Sequence, residues 1–285
     1  MTAKTGKAGR LTVLVTGASS GIGRATATEF AQRGHRVFAA ARREEVLADL
    51  AATTPNLQAV GLDVTDEDSV RRAWAKIEAS TGGAGVDVLV NGAGFALTGP
   101  VELLAGRDVQ RQFATNVFGV MTMTRTVLPA MRARGSGRII NISSLVGRTS
   151  FPFMGVYGAT KYAVEALSDA LRQEVAGFGL KVVIIEPGFT ATSIGEAGDG
   201  HGLAGQEIPD AYAAQVARGT RYLAAQIAKG IAPEQVAATI VKAAEHPNPR
   251  LRDVVPASAR PLIALLTSLP GSLADKATQR ALRSS

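Results

Sequence analysis

Residues 11–33 read LTVLVTGASSGIGRATATEFAQR. The first six are apolar or β-branched, the composition of a strand buried on both faces. Residues 20–33 carry apolar side chains at helical intervals. Between the two runs stand Gly17, Ser19, Ser20, Gly21, Ile22 and Gly23. A strand that passes through three glycines straight into a helix reads as a phosphate-binding turn. One glycine permits the tight turn, one lets the backbone approach a pyrophosphate, and one lets helix and strand pack closely. The helix N-terminus offers unpaired N–H groups and partial positive charge to the anion.

The same alternation continues outward from this stretch. Further strands are expected at 36–41, 57–64, 86–91, 138–143, 180–186 and, shorter, 252–255. Helical patterns fill 44–52, 66–80, 107–134, 156–177, 211–229 and 233–245. Strands that are apolar on both faces and alternate with helices imply a parallel sheet covered on both sides. The right-handed crossover rule then gives an α/β fold, a Rossmann-type doubly wound parallel sheet of about seven strands. The reading is one domain over 1–285, with its core at about 11–255 and a C-terminal extension, 256–285, of undetermined form. The stretch 190–208 breaks the pattern. Its GEAGDGHGLAGQE run cannot pack a core, so a mobile loop is expected at a strand end, where such sheets place ligands; composition alone reads equally well as a plain solvent loop.

Composition narrows the chemistry. The chain has 285 residues, 46% of them hydrophobic, enough for a sizeable core. It has no cysteine, which removes disulfides, thiolate catalysis and cysteine-ligated metals. The three histidines, His35, His201 and His246, have no metal-ligand spacing, so no metal is expected. A net charge of +7 fits an anionic ligand; without a basic helix interleaved with aromatics it does not argue for nucleic acid. The first ten residues lack the apolar stretch of a signal peptide, and no run is long enough to span a membrane. A cytoplasmic location is expected.

The tip of the second predicted strand discriminates between dinucleotides. An NAD site places Asp or Glu there, bonded to the ribose 2′-hydroxyl. This chain has Arg42 and Arg43. A carboxylate would repel a 2′-phosphate, whereas guanidinium binds it through charge-assisted hydrogen bonds. NADP(H) is therefore the predicted cofactor. Asp63 and Val64, at the end of the third strand, suit the adenine. Asn91, Ala93 and Gly94, at the end of the fourth, suit the adenosine side. Each of these two groups alone reads equally well as turn chemistry.

Tyr157 and Lys161 lie four residues apart in VYGATKYA, on one face of a predicted helix. A phenol of pKa near 10 is a poor base, but a neighbouring ammonium favours the phenolate. Such a tyrosine can exchange the proton of a C–O–H while hydride moves at carbon. Ser144, at the end of the fifth strand, can hydrogen-bond the substrate oxygen. Asn116 sits inside a long helical pattern, where an amide often marks a local backbone adjustment.

Taken together these motifs resemble the short-chain dehydrogenase/reductase family in its smaller, single-domain branch. The similarity covers about 11–255 and extends to hydroxysteroid and retinol dehydrogenases and to bacterial ketoreductases. It implies that Tyr157 is the acid/base and that Lys161 lowers its pKa and holds the nicotinamide ribose. It implies that Ser144 orients the substrate oxygen and that Asn116 anchors a water in a proton relay. Pro187, Gly188, Thr190 and Thr192 would line the nicotinamide end, and Ser19 and Arg42 would lie near the 2′-phosphate. Asn91-Gly92-Ala93-Gly94 departs from the family's usual Asn-Asn-Ala-Gly at its second residue. The resemblance also implies a homodimer or homotetramer through the helices at 107–134 and 156–177. The expected substrate is a fairly hydrophobic carbonyl or secondary alcohol, because Phe95, Leu97, Leu145, Val146, Phe151, Phe153, Phe189 and Ile194 fall near the site. Two alternatives use the same fold: a non-catalytic NADP(H) sensor, and an epimerase or dehydratase built on the same tyrosine–lysine pair.

Overall fold

The computed structural model describes residues 9–192, 203 and 206–283. Its strands are β1 (Thr12–Thr16), β2 (Arg36–Ala41), β3 (Leu57–Gly61), β4 (Val88–Asn91), β5 (Gly137–Ile142), β6 (Leu180–Pro187) and β7 (Arg252–Val255). Its α-helices are α1 (Gly21–Gln32), α2 (Glu44–Thr53), α3 (Glu67–Ser80), α4 (Gly106–Phe113), α5 (Gly119–Arg134), α6 (Gly155–Glu174), α7 (Asp210–Ala228), α8 (Pro233–Glu245), α9 (Arg260–Ser268) and α10 (Gly271–Arg283). The strands form one parallel sheet in the order β3-β2-β1-β4-β5-β6-β7. The chain winds outward from β1 to β3, then returns to place β4 on the other side of β1. That reversal opens a crevice at the carboxyl ends of β1 and β4.

Alternation along the strands sorts the core into two layers. Val13, Val15, Val37, Ala39, Val88, Val90 and Ile140 meet Phe30 of α1, Leu47 of α2 and Ile240 of α8. Leu14, Phe38, Val60, Leu89 and Ile139 point the other way, against Ile77 of α3 and Val127 and Met131 of α5. Phe30 is fully buried, and truncating such a ring to Ala costs about 3–5 kcal/mol. Both layers therefore hold the crevice rigid.

Several boundaries differ from the sequence expectation. The single helix expected at 107–134 is interrupted: α4 ends at Phe113, a π-helical turn covers Ala114–Phe118, and α5 follows. The helix expected to reach 177 ends at Glu174 and gives way to a 3₁₀ turn at Ala176–Phe178. β3 stops at Gly61, so Asp63 and Val64 lie beyond the strand instead of ending it. Asp63 Oδ1 accepts hydrogen bonds from Thr65 N (2.9 Å) and Thr65 Oγ1 (2.7 Å), and that local turn leads the chain off the sheet. The extension of undetermined form carries α9 and α10, and α10 packs on α7. Most of the loop expected at 190–208, including Ile194, lies outside the described residues. Among the described residues no helix is long and apolar enough to cross a membrane.

Candidate active site

The turn between β1 and α1 is shaped by close backbone approach. A Cβ on Gly23 would lie 2.3 Å from the Gly17 carbonyl oxygen, and one on Gly17 would lie 2.7 Å from that of Gly92. Gly17 also has φ +70°, a left-handed conformation that other residues rarely adopt. The Thr16 hydroxyl accepts from Gly92 N (3.1 Å) and Ala93 N (3.2 Å), joining the ends of β1 and β4. Ser20, the N-cap of α1, makes no side-chain capping bond. The first N–H groups of α1 are thus free to meet an anion, and side-chain-free glycines floor the approach. A dinucleotide pyrophosphate fits this cradle.

The remaining predicted cofactor residues divide into those facing the crevice and those facing inward. Ser19, Ser20, Gly21, Ile22, Gly94, Gly188 and Thr192 lie at the carboxyl edge of the sheet and are buried or half-buried. A Cβ on Gly21 would touch Thr192 Cγ2 at 3.1 Å, so the phosphate turn and the segment after β6 enclose the crevice together. Arg42 and Arg43, at the tip of β2, are exposed, with no acidic partner among the described residues. Two predictions fare differently. The Asn91 side chain turns away from the crevice: its Nδ2 donates to Asn141 Oδ1 (2.8 Å) and reaches Thr124 Oγ1 at 3.4 Å. The Val64 side chain packs in the core layer beneath α5. At these two positions only the backbone remains for a ligand. The Thr190 hydroxyl is likewise engaged, with the Gly188 carbonyl at 3.1 Å.

Asn116 explains the π-helical turn. Its Oδ1 accepts from Phe95 N (3.1 Å), and its Nδ2 donates to Phe95 O (2.9 Å) and to Thr160 Oγ1 (3.1 Å). One fully buried amide thus joins the segment after β4, the break between α4 and α5, and α6 at the residue before Lys161. The extra residue in the π turn lets this side chain reach all three partners.

Tyr157 and Lys161 sit in the first turns of α6, both buried. Lys161 Nζ donates to the Ile142 carbonyl at 2.8 Å and stands 5.6 Å from the Tyr157 ring centroid. Burial pushes the Tyr157 phenol up to about 12, opposed by a hydrogen bond from Ser144. Burial draws the Lys161 amine down to about 8, opposed by the charge of Glu165. In this arrangement burial outweighs the Ser144 bond and holds the phenol above its ordinary range. The amine lies over the ring face and bonds the Ile142 carbonyl, while removing water penalises the phenolate. Ser144, two residues past β5, accepts weakly from Val146 N at 3.3 Å and has the Pro187 carbonyl at 3.5 Å. Its hydroxyl hydrogen-bonds the Tyr157 phenol.

An apolar cluster faces Tyr157: Ala96, Val146, Met154, Tyr222 and Leu223, with Phe151, Phe153 and Phe189 packed against them. Phe151 stacks on Tyr222 at 5.3 Å. Phe153 has φ +65°, unusual for a bulky residue, and its ring occupies the space a side chain on Gly219 of α7 would fill. Phe95 and Leu97, expected here, belong to a separate cluster with Leu104 and Val156. Asn116 pins Phe95 by its backbone and so directs it there. Met154, Tyr222 and Leu223 were not foreseen. Tyr222 and Leu223 come from a helix far along the chain and carry no local signal for a pocket.

This architecture defines a class, the oxidoreductases that bind a nicotinamide dinucleotide at the switch point of an α/β sheet. Residues 11–199 match the family model described as short chain dehydrogenase, and the chain belongs to that family. It is 36% identical over 272 residues to 3-ketodihydrosphingosine reductase of Bacteroides thetaiotaomicron, covering 95% of this chain and 96% of the relative. It is 33% identical over 270 residues to NADPH-dependent 3-dehydrocapnine reductase of Ornithobacterium rhinotracheale, covering 92% and 94%. A short-chain dehydrogenase from Streptomyces avermitilis superposes with TM-score 0.77 at 36% identity, covering 93% of this chain and 92% of that one. A Burkholderia phymatum member in complex with NAD superposes with TM-score 0.79 at 25% identity, covering 91% and 94%. The family thus binds NAD or NADP(H).

Proposed function

We propose that this chain is an NADPH-dependent ketoreductase acting on a hydrophobic ketone. The observation that carries the reading is the Tyr157 phenol: buried, held protonated, hydrogen-bonded by Ser144 and opening onto an apolar cluster. A bound reduced nicotinamide supplies the hydride. The chain's own residues do the rest. The substrate carbonyl oxygen accepts hydrogen bonds from Ser144 Oγ and Tyr157 Oη. As hydride reaches the carbon, Tyr157 passes its proton to that oxygen, leaving a phenolate and an alcohol. Lys161, in its charged form, stabilises the phenolate and holds the ribose; Asn116 fixes the backbone around it. Gly17, Ser19, Ser20, Gly21, Ile22 and Gly23 bind the phosphates, and Arg42 and Arg43 bind the 2′-phosphate. Asp63 and the backbones of Val64, Asn91, Ala93 and Gly94 take the adenosine. Pro187, Gly188, Thr190 and Thr192 border the nicotinamide.

Two relatives that match over more than nine-tenths of the chain are named reductases of a 3-keto or 3-dehydro compound. With the phenylalanine-lined cluster, they support a substrate whose ketone is at carbon 3 of an amphiphile. Neither alternative is favoured: a sensor needs no intact Ser144, Tyr157 and Lys161, and the family match argues against an epimerase or dehydratase. A homodimer or homotetramer through α5 and α6 belongs to the same reading, supported by the exposed Phe118, Met121 and Tyr162, and light scattering would test it. The direct test is consumption of NADPH with a panel of 3-keto amphiphiles and small polar ketones. Apolar chains should react best, and Tyr157→Phe should lower kcat at least about 100-fold. Full turnover by Tyr157→Phe would overturn the reading.

A further inference from the structure

The proton chemistry above uses Lys161 but none of the carboxylates close to it. Glu165 lies one helical turn beyond Lys161 on α6, on the same face, and is 5% exposed. Its Oε2 accepts from Arg252 Nε at 3.0 Å, while Oε1 is buried and meets no hydrogen-bond donor among the described residues. Arg252, the first residue of β7, also bonds Asp169 on α6 and approaches Glu186 Oε1 at 3.3 Å. Glu186 of β6 is fully buried, directly precedes Pro187, and has Arg148 Nη1 at 3.4 Å. Arg172 completes the group on Asp169 at 3.0 Å. Seven ionisable side chains from α6, β6, β7 and the segment after β5 therefore meet beside the nicotinamide end of the crevice.

Such a cluster is a poor way to gain stability. Buried carboxylates cost several kcal/mol each to desolvate, and well-packed apolar residues serve stability equally well. An unpartnered carboxylate oxygen one turn from a buried amine is a costly arrangement with an electrostatic consequence. In a low-dielectric site, an anion at that range favours the protonated amine.

We propose that Glu165 is a positioning residue for Lys161: Arg252 fixes its carboxylate against α6 so that the negative charge keeps the buried amine an ammonium through the working pH range. The proposal rests on the ketoreductase reading for its purpose. It concerns the state of Lys161 itself, which can be measured without turnover. Glu165 is the charged group that acts on Lys161 against burial, and it is the same carboxylate that Arg252 clamps. Arg148, Arg172, Asp169 and Glu186 lie further out in the network, tied to one another or to Arg252.

The experiment is an NMR titration of the full chain after reductive ¹³C-methylation of its lysines, with Lys161 assigned by Lys161→Arg and no cofactor or substrate present. Glu165→Gln should lower the Lys161 titration by about one pH unit, a tenfold loss of proton affinity. Glu165→Asp should hold it near wild type, because the charge is kept. If Glu165→Gln does not fold, Glu165→Met, of similar volume and with no polar atom to satisfy, carries the same expectation. A Lys161 titration unchanged in Glu165→Gln or Glu165→Met, or equally shifted in Glu165→Asp, overturns the proposal. In steady state, the alkaline limb of kcat/KM should move down in Glu165→Gln by the same interval, which a merely structural role would not produce. Absence of turnover in the wild type would sink the ketoreductase reading and leave the titration result standing.

Discussion

Replacing Lys161 by Met should make the protein more stable while abolishing its chemistry, and the gain should depend on pH in a defined direction. Burial lowers the amine from 10.5 to about 8, and that fall corresponds to about 3 kcal/mol held against the folded state wherever the lysine is charged in both states. Methionine fills similar space without a charge. The loss of the Nζ bond to the Ile142 carbonyl offsets about 1 kcal/mol. Lys161→Met should therefore be about 2 kcal/mol more stable near neutral pH. The folded amine has the lower proton affinity, so unfolding takes up a proton between the two pKa values. Wild-type stability from this group consequently rises with pH through that window. Between about pH 7 and about pH 9.5 the wild type should regain about 2 kcal/mol relative to the variant, closing the gap. Tyr157 is present in both proteins and largely cancels from the difference. Urea unfolding at a series of pH values reads the gap directly. A variant less stable than wild type at neutral pH, or a gap that does not change across the series, would refute the reasoning.

Two further outcomes follow from single contacts. Arg42→Asp should weaken NADPH binding about 30-fold, the equivalent of about 2 kcal/mol for a lost charge-assisted phosphate contact, and leave NADH within about threefold, as read by nucleotide fluorescence; equal loss for both nucleotides would remove Arg42 from the 2′-phosphate. Asn116→Ala should destabilise the fold by about 3 kcal/mol in urea unfolding, because it orphans the buried Phe95 N–H and leaves Thr160 without its amide partner. A loss under about 1 kcal/mol would mean that another group satisfies Phe95.

The parts of this molecule that were legible in the sequence are those written in consecutive residues. The glycine turn after β1 carries its own steric logic within a few positions. Tyr157 and Lys161 were legible because helical spacing alone puts them on one face. Asn116 was half legible: an amide in a helix hinted at an adjustment, but a period of 3.6 cannot reveal a single inserted residue until its partner at Phe95 is known. The pocket was misassigned where backbone bonding overrides hydrophobicity. Phe95 and Phe151 read alike as apolar residues near a strand end, yet one is pinned into another cluster and the other stacks on Tyr222. Arg252, Glu186 and Glu165 could not be joined from sequence, since they come together only when β7 pairs with β6 and α6 lies across both.

The electrostatics of the site also bear on direction. A phenol at about 12 remains protonated at neutral pH, and a protonated Tyr157 donates. Reduction of a ketone needs a donor at the carbonyl oxygen; oxidation of an alcohol needs a base there. A protonated Tyr157 suits the proposed reduction, and the reverse reaction would require the phenolic proton to leave first. The Ser144 hydrogen bond works toward that loss, and positive charge near the phenol would add to it. Lys161 is the cation at hand, and its own charge is contested between burial and Glu165. In the proposed reduction, a tyrosine that holds its proton has the acid in place before the ketone arrives, and an ammonium on Lys161 would then meet the phenolate left behind.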